Sequence, residues 1–293
     1  MNYLIDNTRY VLGYNDKGEE VDNFQVHKVV EKIIFEIDRV CRKNNIDYAL
    51  AFGSALGLYN YQGFIPWDDD GDIAINSFDY DRFAEALKKD LSDEFTFDCE
   101  KMNKRYNPLI PAFKIRYKAS YIKEKNRFTL PDHTKNRGIF VDVCLFMGVP
   151  ESVRKHKRTF IKSKLLMPFY VFFDAFCHLN PCLIRKSLRK YERKIAIKYK
   201  DSNRVSQTVI IPFQELPKKF VENLSFPKNV IYPFKEYDFL GKKIFSFNDV
   251  EEFCRLRYGE KALKKIDESG KVIDPFDDKN KSGGHMSVIN IYK

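Results

Sequence analysis

The sequence predicts a domain of mixed strands and helices, of the α/β or α+β class, across roughly the first half of the chain. Two patterns predict it. Apolar residues recur at helical spacing from Asp22 to Asn45, and a series of short apolar or alternating runs further on has the length of strands. Composition supports a packed core, since 44% of the 293 residues are hydrophobic and 26 are phenylalanine. Such a length suits one large domain, or one domain with a sizeable insertion.

The elements follow in order. Val26, Val29, Val30, Ile33, Ile34, Ile37 and Val40 mark the buried face of a first helix, with Asp22 as its N-cap. Asp47 to Phe52 reads as a strand, Ser54 to Tyr61 as a short helix, Ile73-Ala74-Ile75 as a buried strand and Tyr80 to Lys89 as a helix. Phe95 to Cys99, Ala112 to Lys118 and Ile139 to Phe146 cluster or alternate apolar residues as strands do. Arg154 to Lys200 is helical in pattern. Tyr237 to Phe247, with Gly241 at a turn, reads as a hairpin, and Asn248 as the N-cap of a helix through Tyr258.

The chemistry concentrates between Gly53 and Ile75. Asp68, Asp69, Asp70 and Asp72 put four carboxylates into five positions, directly after Trp67, the sole tryptophan, and before the Ile73–Ile75 strand. Carboxylates this close raise one another's pKa unless a cation relieves them. In an extended segment Asp70 and Asp72 share a face while Gly71 turns away, a pair suited to a hard divalent ion shared with substrate phosphates. Gly53-Ser54 lies between an apolar strand and a helix, where backbone N–H groups can cradle phosphate. An EF-hand does not fit: its sixth place holds Ile73 instead of glycine, and its twelfth holds Asp79 instead of glutamate.

Asp142 is the lone charge inside the apolar run Ile139 to Phe146. A buried carboxylate must be paired, protonated or bound to a cation. A salt bridge to a core Lys or Arg answers that need, and so does a metal shared with Asp70 and Asp72. Lys114 and Arg116 share one face of their strand and are candidate clamps on a diphosphate, with structural ion pairing as the alternative.

The net charge of +10 is uneven. Residues 151–200 hold fourteen Lys/Arg against three Asp/Glu, which leaves the rest of the chain near −1. Within them, Leu165 to Cys177 is apolar and aromatic, but Asp174 interrupts it well short of the ~20 residues a spanning helix needs. Two readings stand: a surface that meets anionic lipid, or a buried helical hairpin with a solvated basic face. No nucleic-acid module surrounds the charge, so nucleic acid is not expected as a partner. Six cysteines without a CxxC pair, and an N-terminus without a basic-then-apolar leader pattern, fit a reduced, cytosolic setting. Cys177, His178 and Cys182 have no evident fourth ligand for zinc. The tail Ser282 to His285 is expected to be flexible, with His285 idle or a late phosphate contact.

Leu50 to Gly57 together with Gly63 to Asp72 resembles the signature of the LicD phosphotransferases, relatives of the fukutin-type ribitol-phosphate transferases. Weaker likeness lies in Lys114-Ile115-Arg116, in Gly138 to Asp142 with Gly148-Val149-Pro150, and in Phe253 to Gly259. The resemblance implies an α+β, nucleotidyltransferase-like mixed sheet flanked by helices, with the basic, aromatic helical segment as an insertion. The corresponding division is a catalytic core over 1–150, the helical segment over 151–205, and 206–293 completing the catalytic domain. It further implies that Gly53 and Ser54 hold nucleotide phosphates and that Asp70, Asp72 and Asp142 hold Mg²⁺ or Mn²⁺. The implied donor is CDP-choline or another CDP-alcohol. The implied acceptor is a glycan precursor, lipid-linked or free, served from the cytoplasm or the inner membrane face. Two alternatives remain: a nucleotidyltransferase moving NMP from an NTP, and a silent membrane-associated scaffold of the same fold.

Overall fold

The computed structural model describes residues 8–107, 111–124, 136–207, 210, 224–266, 269, 272–273 and 286–292. The expected flexible tail, Ser282 to His285, lies outside them. The strands are β1 (Val11–Tyr14), β2 (Glu20–Asp22), β3 (Tyr48–Leu50), β4 (Gly71–Asn76), β5 (Phe95–Cys99), β6 (Phe113–Tyr117), β7 (Ser120–Glu124) and β8 (Phe140–Gly148), then β9 (Arg204–Ser206), β10 (Ser225–Pro227), β11 (Lys235–Phe239), β12 (Lys242–Ser246), β13 (Lys265–Ile266), β14 (Val272–Ile273) and β15 (Met286–Ile291). The helices are α1 (Asn23–Lys43), α2 (Phe52–Tyr61), α3 (Tyr80–Asp90), α4 (Val153–Thr159), α5 (Ile161–Val171), α6 (Cys182–Lys198), α7 (Lys228–Ile231) and α8 (Val250–Tyr258).

The fold is α+β. Among the described residues a nine-stranded sheet runs β10-β9-β8-β4-β3-β12-β11, with β6 also on β8 and β5 on β6. It is mixed: β4 is parallel to β8 and antiparallel to β3, while β6 is antiparallel to β8. A smaller sheet, β2-β1-β15-β7, joins the chain's early and late strands.

Local chemistry explains most of these elements. Asp22 caps α1 in a capping box, its carboxylate accepting from the Gln25 amide at 3.0 Å while the Gln25 side chain accepts from the Asp22 amide. Val26, Val30, Ile33, Ile34, Ile37 and Val40 of α1 are wholly buried, and each contributes about 1.5–3 kcal/mol of apolar burial. The β11–β12 hairpin turns through Leu240 and Gly241, both at positive φ, as a tight two-residue connection requires. Two details depart from the sequence reading. Asp249, not Asn248, caps α8, its carboxylate accepting from the Glu252 amide at 2.9 Å. Gly53 and Ser54 lie inside the first turn of α2, which begins two residues earlier than the sequence reading, at Phe52 with a positive φ of 42°.

Candidate active site

The acidic loop is held between β4, α1 and α2. Gly71, at the start of β4, faces α1: a β-carbon there would lie 2.9 Å from Val30 and 3.3 Å from Ile34. Asp70 and Asp72 therefore project to the opposite face, as the two-residue alternation of a strand requires. Two glycines of α2, one turn apart, let the helix lie against this loop. At Gly57 a β-carbon would stand 2.5 Å from the Gly63 carbonyl, and at Gly53 it would stand 2.8 Å from an Asp68 carboxylate oxygen. At Gly57, where the neighbour is backbone, only glycine permits that approach.

The hydrogen bonds fix the carboxylates one by one. The Gly53 amide donates to the Asp72 carboxylate at 3.3 Å, and the Asp72 amide donates to the Ser54 hydroxyl at 2.9 Å. Asp69 is fully buried and accepts from the Met286 amide at 2.7 Å, which ties the smaller sheet to the loop. His27, stacked on Phe64, donates from Nε2 to the Asp68 carbonyl at 2.8 Å. Its pKa is lowered, chiefly by burial, which favours the neutral ring.

Asp68, Asp69 and Asp70 each offer an oxygen, all within 4.8 Å of one another. Burial first, then the charges of Asp68, Asp72, Asp142 and Asp69, hold the Asp70 carboxyl well above the ordinary carboxylate range. Such an oxygen-only, over-charged donor set fits a hard divalent cation, which would relieve the repulsion. Asp142 stands directly opposite Asp72 in the parallel β4–β8 pairing. Three predicted carboxylates are thus brought together, with Asp68 and Asp69 added to them.

The predicted phosphate clamps are placed differently. Lys114 is buried, 3.4 Å from the Asp142 carboxylate and 3.2 Å above the Phe140 ring. Arg116 is buried too, donating to the Gly138 carbonyl at 3.0 Å and lying 3.7 Å from Asp98. Both cations serve the sheet, and neither is among the described residues lining the cavity beside the acids. That cavity, about 550 Å³, is lined by Phe52, Gly53, Trp67, Asp68, Asp70 and Asp72 together with Arg257 and Tyr258. Arg257 arrives on α8, with its guanidinium 5.5 Å from the Phe52 ring centroid. The Phe253-to-Gly259 segment carried weak family likeness, but no role for Arg257 was read from it.

Residues 45–170 match the family model described as "LicD/FKTN/FKRP, nucleotidyltransferase domain". The chain is 22% identical over 240 residues to the lipopolysaccharide cholinephosphotransferase LicD of Haemophilus influenzae, an alignment covering 75% of this chain and 84% of that protein. The matched family region contains α2, the acidic loop, β4 and β8, hence every carboxylate of the cavity. Residues 45–170 are thus similar to the nucleotidyltransferase domain of the LicD family, and the longer alignment places the likeness across most of the chain.

Proposed function

We propose that the protein is a metal-dependent phosphotransferase that moves phosphocholine, or a similar phospho-alcohol, from a CDP-linked donor to a hydroxyl of a cell-surface glycan precursor, releasing CMP. The observation that carries this reading is the crowding at Asp70, whose carboxyl is surrounded by four others at the wall of an open cavity. The family match over residues 45–170 and the activity in the Haemophilus relative's name support the same chemistry.

Asp70 and Asp72, with Asp68 and Asp142 beside them, would hold Mg²⁺ or Mn²⁺, which when bound neutralises charge on the diphosphate and the departing CMP. In the transfer, the acceptor oxygen forms a bond to the distal phosphorus of the donor. The bond from that phosphorus to the bridging oxygen breaks, and CMP leaves with the bridging oxygen. Asp142, opposite Asp72 in the strand pairing, would take the proton from the acceptor hydroxyl. Arg257, which lines the same cavity as the acids, would supply positive charge to the diphosphate. Phe52 and Trp67 give the cavity aromatic walls, which suit a choline cation.

The test is to incubate the protein with CDP-choline, CDP-polyols or CTP, Mg²⁺ and a glycan fraction, and to measure CMP and pyrophosphate. CMP from a CDP-alcohol supports the proposal. Pyrophosphate from CTP means nucleotidyl transfer instead, and neither product across all donors favours a scaffold or a missing acceptor. Arg257→Gln is expected to raise the KM for the productive donor about tenfold, the loss of one charge-assisted contact.

A further inference from the structure

The sequence left residues 151–200 between a lipid-facing surface and a buried hairpin, and the placement of Asp174 decides how they are used. Asp174, the acid that interrupts the apolar run, is turned inward and fully buried, 3.1 Å from Arg105. Glu192 is buried as well and accepts from Arg189 at 2.8 Å. Two of the segment's three acids are thereby withdrawn from its surface.

What remains outside is apolar and basic. Ile161, Leu165, Phe169, Phe172 and Phe176 follow one another every three or four residues along α5 and the π-helical turn Phe172–Phe176 that extends it. At 3.6 residues per turn they fall within an arc of roughly 80° and along a line of about 20 Å. Each is more than half exposed, Phe176 at 73%, and Leu183 at the start of α6 is 78% exposed. A contiguous exposed stripe of this kind marks an interaction surface. Its surroundings are cationic: Arg154, Lys157 and Arg158 lie on α4 before it, and Lys186, Lys190 and Lys194 on the outer face of α6 after it, all exposed.

We propose that this face docks on an anionic membrane surface, the phenylalanines entering the headgroup boundary and the lysines and arginines meeting phosphate headgroups. Charge complementarity selects this occupant. An apolar stripe whose preceding and following helices expose cations, with two of the segment's three acids buried, matches a surface that is apolar within and negative at its rim. Among the described residues no helix is long and apolar enough to cross a membrane, so the contact is peripheral at this segment. The proposal is independent of the reaction catalysed.

The experiment is vesicle co-sedimentation of the full chain with phosphatidylcholine alone and with roughly 30% phosphatidylglycerol, at about 0.1 M and 0.5 M salt. Binding is expected to the anionic vesicles only, and to fall at the higher salt. Phe169→Ser/Phe172→Ser/Phe176→Ser should weaken it about tenfold or more with an unchanged circular dichroism spectrum, as expected for exposed side chains. In a second measurement, Phe172→Trp should show blue-shifted emission with anionic vesicles, against the constant background of buried Trp67. Absence of both binding and shift, equal binding by the triple-serine variant, or a lipid-free dimer that this variant dissolves would overturn the proposal. The last result would assign the face to a second copy of the chain.

Discussion

Asp142 stands directly opposite Asp72 on one neighbouring strand and directly opposite Lys114 on the other. Asp98 faces Lys114 in turn on β5, so one row across four strands carries two acids, a base and another acid. Directly opposed residues share a face, and the buried Lys114 therefore offsets the half-buried Asp142 beside it, while Asp98 also lies near Arg116. Replacing it removes the ion pair of Asp142. Lys114→Met is expected to cost about 2–4 kcal/mol of stability in denaturant titration, and clearly less in an Asp142→Asn background. Equal costs in both backgrounds would mean that the pair is not coupled.

Asp70 trades stability for chemistry. Its carboxyl is disfavoured as an anion by burial and by four neighbours, so the isosteric amide relieves repulsion in the metal-free protein. Asp70→Asn is expected to raise stability by about 1 kcal/mol, a few degrees in Tm, while lowering turnover by roughly 10²-fold or more. Thermal melts in chelator and CMP release measure the two effects separately.

Gly53 makes a sharper distinction. An added β-carbon meets the ends of two flexible carboxylate side chains, Asp68 at 2.8 Å and Asp72 at 3.6 Å, and no backbone atom within 4 Å. The fold can yield by moving those carboxylates, at a cost of about 1 kcal/mol or less, but the constellation cannot. Gly53→Ala should therefore lose about tenfold or more in kcat/KM with a nearly unchanged melt. A large stability loss with normal activity would contradict this placement.

His156 gives a pH dependence remote from the acids. It is buried against Phe160, and among the described residues neither ring nitrogen has a hydrogen-bond partner. Burial, and then the charge of Arg204, lower its pKa to about 4. The unfolded chain takes up this proton near the ordinary 6.5, whereas the folded protein resists until about 4. Its contribution is thus present above 6.5 and lost as pH falls towards 4, by about 2 kcal/mol between pH 7 and 5. His156→Leu should flatten the stability–pH curve by that amount, read from urea midpoints at the two pH values.

The parts of this account that are local in sequence were legible there. The acidic motif, the turning away of Gly71 and the cap at Asp22 all follow from neighbours within a few residues. Lys114 and Arg116 were visible as cations, but strand spacing cannot tell a substrate clamp from a cross-strand partner. That depends on β6 pairing with β8 and β5. Asp69's tie to Met286 spans 217 residues, and Arg257 reaches the cavity only because α8 packs beside α2. No periodicity announces such contacts. The earlier start of α2 coincides with a positive φ at Phe52, a strained conformation that residue preference argues against. At α8 two good capping residues, Asn248 and Asp249, stand side by side, and only the fold selects between them.

The most direct test of the central claim is electron paramagnetic resonance of Mn²⁺ titrated into the wild-type protein and into Asp70→Asn/Asp72→Asn, each with and without CDP-choline. The account predicts bound Mn²⁺ in the wild type, tightened by the donor, and loss of both effects in the double variant. Equal binding by the two proteins, or no influence of the donor on the wild type, would contradict it.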